Sequence, residues 1–303
     1  MELPVLVLCL LRFHFPSAVS RFTSTFYFQP AAFPHCPLPF ALYHCTVARK
    51  KSKKHFLGVF IVVSIVAAAS FSVYLGYLWW QSKQMEFVRY PEFGIPIPAE
   101  YEIHGIDVSR YQQNISWDMV KEMNVHDIKL QFAFIKATEG LVNLDPYFKR
   151  NWKKSKEAGI VRGAYHFFIA GKDGKSQAQN FIKNVPLATG DLPPVLDVEQ
   201  VYSAKPDQLR MELKEWLDVV QNHYHVQPII YTYLDFYEKN LKGYFDDYPL
   251  WVAHYLQPHQ PRITRDWTFW QHSEGGHVDG IMSKVDFNVF NGDSVAFKTL
   301  LVP

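Results

Sequence analysis

The sequence predicts an α/β fold: a small, irregular β/α barrel of about eight strands, with its helices lost in the C-terminal part and one transmembrane helix in front of it. Three observations lead to this prediction. Residues 56–80 contain no charged side chain. From residue 101 onward, short β-branched and aromatic runs alternate with stretches of helical hydrophobic spacing, which is typical of parallel strands joined by helices. After about Lys242 the strand-like runs continue, but the helical spacing is lost.

The first 46 residues are expected to lie outside any folded domain. They are rich in Phe, Pro, Leu, His and Cys, they contain Glu2 as their only acid, and they show neither a helical nor a strand period. We interpret residues 1–46 as an over-extended gene assignment or a disordered extension, with translation starting near Val47. Peptides from this stretch in a mass spectrum of the native N-terminus would contradict the first interpretation.

Residues 47–55 are a basic segment, and residues 56–80 are predicted to anchor the chain in a membrane. A helix of this length, at about 1.5 Å per residue, spans a bilayer. Basic side chains stay cytoplasmic and aromatic ones settle at the interface, so the basic segment and the four Tyr and Trp near the end of the span place the next domain outside the cytoplasm. A cleaved signal peptide is the alternative, since residues 67–70 are small; we favour an uncleaved anchor.

Residues 81–100 separate the anchor from the remaining domain. They include Pro91, Pro96 and Pro98 and little periodicity, which indicates a semi-extended linker. Residues 101–303 then form one domain with 22 basic and 25 acidic side chains. That balance argues against a basic nucleic-acid-binding surface. All three cysteines of the chain lie in its first 45 residues, so the domain has no thiolate nucleophile or zinc–thiolate site.

The domain shows eight strand-like runs and two helical patterns. The runs cover residues 103–108, 132–137, 161–168, 195–199, 229–233, 250–254, 267–271 and 285–289. Leucines and aromatic side chains recur at helical spacing in residues 206–223, and a weaker pattern covers residues 178–185. In a β/α barrel the active site lies at the carboxyl ends of the strands, so polar residues at those positions are the candidates for chemistry.

Residues 193–199 are the stretch around which this domain is organised. Two prolines open a short strand that ends in Asp197 and Glu199. Side chains alternate faces along a strand, so both carboxylates point the same way while Leu196 and Val198 point the other way. Two neighbouring carboxyls can share one proton, because each raises the pKa of the other. A general acid needs such a raised pKa near neutral pH, although an isolated Asp-x-Glu is more often a helix cap beside a solvated loop residue.

Polar and aromatic residues recur at the same end of the other predicted strands. They are Asp107, Glu139, Tyr165, Tyr231, Trp251, Trp270, Gln271 and Asp286. Closing the barrel brings these positions over one mouth, a convergence that is harder to obtain by chance than one acid pair. The four aromatic side chains are candidates to stack on sugar faces, and core packing is as good an interpretation of any one of them. Gln271 and Glu139 are candidate substrate-binding residues, and Glu139 could equally hold a loop.

Six motifs follow one another in order within residues 103–292. They are Gly105-Ile106-Asp107-Val108-Ser109 with Tyr111-Gln112, Lys136-Ala137-Thr138-Glu139-Gly140, Gly163-Ala164-Tyr165-His166-Phe167, Asp197-Val198-Glu199, Leu250-Trp251-Val252-Ala253, and Val285-Asp286-Phe287-Asn288. Taken together, these motifs resemble those of glycoside hydrolase family 25, the lysozymes that cut bacterial peptidoglycan. The family commonly has an acid directly after the pair, where this chain has Gln200.

The resemblance implies a TIM-like barrel and an N-acetylmuramidase that cleaves the β-1,4 bond between N-acetylmuramic acid and N-acetylglucosamine. It implies that Glu199 protonates the departing oxygen and that Asp197, Asp107 and Asp286 are the carboxylates around the reacting sugar. The acetamido group of the substrate could then serve as the nucleophile, with Asp197 orienting it. With the predicted anchor, the enzyme would be a single-pass protein of the bacterial cytoplasmic (inner) membrane, with its catalytic domain on the extracytoplasmic or periplasmic side.

Two other functions stay open at this point. A non-catalytic module could hold peptidoglycan strands without cutting them, and newly formed reducing ends would separate it from an enzyme. A hydrolase of another N-acetylhexosamine polymer, such as chitin, is disfavoured because the longer acidic run typical of those barrels is absent here: Val195 stands where that run has an acid two residues before Asp197. We expect no cofactor and no metal, since His272, His277 and Asp279 lack a recognised ligand spacing. The sequence does not determine an oligomeric state.

Overall fold

A computed structural model of the chain describes residues 53–82, 87–98, 100–257 and 260–303. The expected extension over residues 1–46 and most of the basic segment lie outside these described residues. The first element, helix α1 (Lys53–Ser82), contains the predicted membrane segment. Its central part, Leu57–Trp80, has a mean hydropathy of 2.3 and is long and apolar enough to cross a membrane.

A β-hairpin follows where the sequence predicted a linker. Strands β1 (Phe87–Tyr90) and β2 (Ile95–Pro98) pair antiparallel. Phe93 and the β2 residues Ile95 and Ile97 are buried in the hydrophobic core, and the Phe93 ring lies 5.3 Å from that of Phe287. The expectation of a linker over residues 81–100 is therefore wrong for residues 87–98. The prolines suggested a linker, yet the alternating apolar residues between them give a strand with one buried face.

Ten further strands build the rest of the sheet structure. They are β3 (His104–Val108), β4 (Asn124–Val125), β5 (Ile128–Glu139), β6 (Asn143–Leu144), β7 (Val161–Phe167), β8 (Val195–Asp197), β9 (Ile229–Tyr233), β10 (Leu250–Ala253), β11 (Phe269–Gly276) and β12 (Val285–Phe290). Eight of them close into a barrel in the order β3-β12-β11-β10-β9-β8-β7-β5, and β5 pairs back onto β3. The predicted barrel of about eight strands is confirmed. All neighbouring pairs in it are parallel except those of β12, which is antiparallel to both β11 and β3.

Helices connect the early strands and disappear from the late ones. They are α2 (Trp117–Glu122), α3 (Phe148–Glu157), α4 (Gly174–Asn184), α5 (Pro206–Tyr224), α6 (Leu234–Phe236) and α7 (Ser294–Leu300), with a 3-10 turn at Arg110–Gln112 and a π-helical turn at Tyr237–Leu241. Residues 254–257 and 260–284, the described part between β10 and β12, contain no helix. The predicted loss of helices near the C-terminus is therefore confirmed, and the short α7 alone follows the last strand.

The core has two layers, set by the alternation of side chains along each strand. One layer fills the barrel and includes Phe132, Phe134 and Phe269. The other lies between the barrel and its helices and includes Trp216 of α5. Inside the barrel two glycines make room for aromatic rings: a Cβ at Gly105 would lie 2.6 Å from the Phe132 ring, and one at Gly163 would lie 2.5 Å from the Phe134 ring. These rings fill the barrel below its mouth, so the open end is left for polar side chains.

Candidate active site

The four acids predicted from the sequence line one pocket at the carboxyl ends of the barrel strands. The pocket has a volume of about 210 Å³, and Asp107, Asp197, Glu199 and Asp286 all contribute to its wall. Asp107 is the last residue but one of β3, and the acid pair comes from β8 and the two residues after it. Asp286 stands at the beginning of β12, directly opposite Asp107 in the strand register. Because β12 runs antiparallel, its beginning lies at the same barrel mouth as the ends of the other strands.

Asp107 is held from below by a network of amides. Its Oδ2 atom accepts hydrogen bonds from Gln271 Nε2 and Asn288 Nδ2, both at 2.8 Å. Asn288 Oδ1 accepts in turn from Trp251 Nε1 at 2.8 Å. The Gln271 side-chain oxygen accepts from the hydroxyls of Tyr231 at 2.8 Å and Tyr255 at 2.6 Å. The side-chain amides of Gln271 and Asn288 thus donate to Asp107 through nitrogen and accept from neighbouring side chains through oxygen. These bonds fix the orientation of the Asp107 carboxyl group.

Asp107 and Asp286 form a carboxyl pair in which both pKa values are raised. Burial raises the pKa of Asp107 well above its ordinary value, the nearby charge of Asp286 raises it further, and the two amide donors oppose that rise. The pKa of Asp286 is raised to about 6, mainly by burial, while its hydrogen bond with Asp107 acts in the other direction. One proton shared by two carboxyls leaves a single negative charge on this side of the pocket near neutral pH.

Asp197 and Glu199 form the second carboxyl pair, as the strand alternation predicted. Their side chains are hydrogen-bonded to each other, and Leu196 and Val198 pack in the outer core layer. Burial raises the pKa of Asp197 well above its ordinary value, and the charge of Glu199 adds to that rise. Burial also raises the pKa of Glu199, the more open member of the pair. Asp197 is 5% exposed, and its Oδ1 atom has no hydrogen-bond partner among the described residues.

Lys136 supplies the positive charge beside the Asp197–Glu199 pair. It lines the same pocket, and its charge lowers the pKa of both acids. Its Nζ atom donates to Glu139 Oε2 at 2.6 Å and lies 4.6 Å from the centroid of the Phe167 ring. Glu139, predicted to bind substrate, is therefore outside the carboxylate pocket. It lies in an adjacent groove and is joined to the pocket through Lys136.

Three of the four aromatic candidates line the pocket. Tyr165, Tyr231 and Trp251 form its wall, and the Trp251 ring stacks on Phe134 with centroids 4.4 Å apart. Trp270 does not reach the pocket. It is fully buried in the outer core layer, and its Nε1 donates to the main-chain oxygen of His254 at 3.0 Å. The prediction of Trp270 as a substrate-binding residue is corrected, since along β11 its neighbours Phe269 and Gln271 point inward and Trp270 points outward.

Gln271 lines the pocket as predicted, but its side chain is fully used by Asp107 and the two tyrosines. It is 2% exposed, so its place in the structure is that of a support for Asp107. Sequence reasoning did not single out six further residues of the site: Lys136, Asn288 and Tyr255, together with Ser109, Tyr111 and Phe167 of the pocket wall. The first two were available from alternation, because Lys136 follows Phe132 and Phe134 at intervals of two and Asn288 follows Asp286 by two. Tyr255 follows the end of β10, and no local pattern marks it.

The acids that could hold a metal ion lie elsewhere. In the described part of the chain, Asp173, Glu212 and Glu215 offer oxygens within 4.8 Å of one another. Glu212 is already used, since its Oε2 accepts the main-chain N–H of Gly174 at 2.7 Å. The acid-lined pocket has instead two carboxyl pairs, one lysine and aromatic walls. That set can donate a proton and stabilise a positive charge, the two requirements for cleaving a glycosidic bond.

Comparison with known proteins supports this chemistry. Residues 106–281 match the family described as Glycosyl hydrolases family 25. The Escherichia coli (strain K12) protein YegX is 51% identical over 200 residues, covering 66% of this chain and 74% of its own. Lysozyme M1 of Streptomyces globisporus is 34% identical over 217 residues, covering 65% and 71%. The structure of a family 25 glycosyl hydrolase from Bacillus anthracis superimposes with a TM-score of 0.62 at 31% identity, over 71% of this chain and 96% of that one. With its closed barrel and acid-lined mouth, the chain belongs to glycoside hydrolase family 25 and is a glycoside hydrolase of the lysozyme type.

Proposed function

We propose that this chain is an N-acetylmuramidase that hydrolyses the β-1,4 bond between N-acetylmuramic acid and N-acetylglucosamine in peptidoglycan. A peptidoglycan hydrolase activity follows from the family and its lysozyme relatives. The observation that carries the finer proposal is the single pocket of about 210 Å³ walled by four acids and by Tyr165, Tyr231 and Trp251. Aromatic faces suit sugar rings, and the acids suit the positive charge that develops at the sugar carbon.

Glu199 is the proposed general acid. It shares a proton with Asp197, and in the free protein burial holds that proton more firmly on Asp197. Substrate can reverse this order. The unpartnered Oδ1 of Asp197 is suited to accept the N–H of the muramic acid acetamido group. A hydrogen bond to that oxygen favours the ionised form of Asp197, so the shared proton passes to Glu199, from which it is donated to the departing oxygen.

The acetamido oxygen of the substrate then forms the bond to the sugar carbon as the glycosidic bond breaks. Asp197 accepts a hydrogen bond from the acetamido N–H during this step. The sugar carbon thus exchanges its bond to the glycosidic oxygen for a bond to the acetamido oxygen of the same sugar. Ionised Glu199 next takes a proton from water, whose oxygen attacks the same carbon and regenerates the acetamido group. The single charge of the Asp107–Asp286 pair stabilises the positive charge in both steps. A sugar trapped covalently on a protein carboxylate would contradict this route.

The variant Glu199→Gln tests the proposal. It keeps the shape of the side chain but has no proton to give, so we expect the rate of wall cleavage to fall by about 10²–10⁴-fold with the fold retained. Mass spectrometry of released muropeptides measures the product, and circular dichroism checks the fold. Glu215→Gln, which removes one exposed carboxylate from α5, is the matched control and should cleave normally. Near-normal cleavage by the Glu199→Gln protein would exclude Glu199 as the acid.

We also propose that α1 anchors the enzyme in the bacterial cytoplasmic (inner) membrane as a single span, with the barrel on the extracytoplasmic or periplasmic side. The support is the 24-residue apolar segment Leu57–Trp80 and the basic residues that precede it in the sequence. Peptidoglycan lies on that side of the membrane, so the placement brings the barrel to its substrate. In this arrangement residues 101–303 are the catalytic domain, and the β1–β2 hairpin extends the folded part upstream of residue 101.

A further inference from the structure

A second groove lies against the acid-lined pocket, and the two share one wall. This groove has a volume of about 340 Å³ and is lined by Arg110, Lys136, Glu139, residues 142–144, Asp145 and Pro146. Lys136 faces both spaces, since it also lines the pocket of the four acids. The groove is therefore a lateral extension of the site. A glycan strand bound along the acid-lined pocket does not need this second groove.

The floor of the groove is fixed by Asp145. Its Oδ2 accepts the main-chain N–H of Arg110 at 2.8 Å, and its Oδ1 accepts that of Tyr147 at 2.9 Å. Its own N–H donates to the main-chain oxygen of Ala137 at 2.8 Å. These three bonds tie the segment after β3 and the segment after β6 to strand β5. Because the Asp145 carboxylate is buried and occupied by backbone donors, it does not compete for a charged ligand in the groove.

The charges on the groove walls leave one cation available. Lys136 is ion-paired with Glu139 at 2.6 Å. The exposed Arg110 guanidinium lies 5.4 Å from the centroid of the Tyr111 ring and makes no ion pair with any residue that the structure describes. A planar guanidinium at the mouth of a groove suits a carboxylate, which it can hold through two hydrogen bonds. The exposed Val142 provides an apolar wall beside it.

We infer that this groove binds the peptide stem of peptidoglycan, with Arg110 on one of the free carboxylates of the stem. The inference rests on the proposed muramidase function. In N-acetylmuramic acid the stem is attached through the oxygen on the ring carbon next to the one that carries the acetamido group. If Asp197 holds the acetamido group, the stem leaves the sugar on the side of the Asp197–Glu199 pair. Lys136 lies close enough to that pair to lower the pKa of both acids, and it also lines the groove. The stem would therefore pass over Lys136 into the groove.

The test compares two forms of one substrate: purified glycan strands with their stems, and the same strands after an amidase has removed the stems. For the full chain, kcat/KM should be higher on the stemmed form, on the order of fivefold, the size expected of one partly solvated charge pair. Arg110→Gln should bring the ratio of the two kcat/KM values close to one. Arg110→Lys should keep part of the preference for stemmed strands. Val142→Glu places a carboxylate in the groove that repels the carboxylates of the stem, so the ratio should fall below one.

Arg89→Gln is the matched control, because it removes an exposed cation from the β1–β2 hairpin, outside both spaces. It should leave the ratio as in the unmodified chain, which separates the groove from general attraction to an anionic wall. An unmodified chain without preference for stemmed strands, or an Arg110→Gln protein that keeps the full preference, would overturn the inference. Failure to cleave either form would overturn the proposed function itself, and this subsite with it.

Discussion

Replacing Gln271 should do severe damage without touching any of the four acids of the pocket. Its side-chain N–H₂ donates to Asp107, and its oxygen accepts from Tyr231 and Tyr255. Gln271→Leu has nearly the same volume but removes all three bonds at once. Asp107 then keeps one amide donor, from Asn288, and the Tyr231 hydroxyl loses its acceptor in a buried position.

The size of the effect can be worked out bond by bond. A buried polar group left without its partner costs about 1–3 kcal/mol. Asp107 and Tyr231 are both buried, whereas half-buried Tyr255 can turn to water, so the free energy of unfolding should fall by about 2–6 kcal/mol. In a domain of this size that lowers Tm by roughly 5–20 °C. The bond lost at Asp107 goes to a carboxyl pair that carries one negative charge, so kcat/KM should fall about 10- to 100-fold.

Gln271→Glu separates the loss of the hydrogen bond from a general loss of packing. The introduced carboxyl accepts from both tyrosines in either form, but it can donate to Asp107 only while protonated. Burial beside Asp107 raises its folded pKa, so its stabilising bond is present at low pH and is lost as pH rises through that pKa. Thermal unfolding of both variants and the unmodified chain at about pH 4.5 and about pH 8 is the assay. The amount by which the Tm of Gln271→Glu falls below that of the unmodified chain should be larger at the higher pH. The corresponding difference for Gln271→Leu should not grow in the same way. A Gln271→Leu protein within about 1 °C of the unmodified Tm and with normal kcat/KM would refute the network as the support of Asp107.

Two further predictions follow from the pocket and from the anchor. Asp286 has a folded pKa of about 6, raised above its ordinary value of 3.8, so its protonated form adds stability that is present below about pH 4 and is lost as pH rises through about 6. Asp286→Asn cannot ionise, and its Tm relative to the unmodified chain should therefore increase between pH 4 and pH 7; a pH-independent difference would exclude the raised pKa. In a bacterial host the chain should stay with the membrane pellet after high salt and alkaline carbonate and dissolve only in detergent. Release by salt, or a mature form lacking residues 56–80, would contradict an uncleaved anchor.

Much of the barrel was predictable because strand alternation is a local property and most barrel strands pair with the next one along the chain. Asp197 and Glu199 point into the pocket while Leu196 and Val198 pack outward, as a period of two requires. The same rule, applied residue by residue, would have included Lys136 and excluded Trp270. The prediction that failed for Trp270 relied on residue type, since an aromatic ring near a strand end suits both a sugar and a core. Only the face of the strand decides between them.

Local sequence patterns did not predict the β1–β2 hairpin or the hydrogen-bond network that supports Asp107, and the reasons differ. Residues 87–98 contain prolines, which usually exclude a strand, but in a two-stranded hairpin Pro96 lies opposite Arg89 with its side chain exposed while Ile95 and Ile97 reach the core. The Asp107 network joins β3, β9, β10, β11 and β12, with Gln271 164 residues and Asn288 181 residues away in the chain. No spacing in the sequence records such a contact, because it exists only once the barrel has closed.

The direction of β12 explains why the last acid belongs to the site at all. In a barrel of parallel strands alone, a residue at the beginning of a strand lies at the end opposite the catalytic mouth. Asp286 is the second residue of β12, so a parallel β12 would have placed it far from Asp107. The strand instead runs antiparallel to both β11 and β3, which puts Asp286 beside Asp107 and Asn288 two residues further inside. The antiparallel direction of β12 is thus the structural reason that the Asp107–Asp286 pair can form.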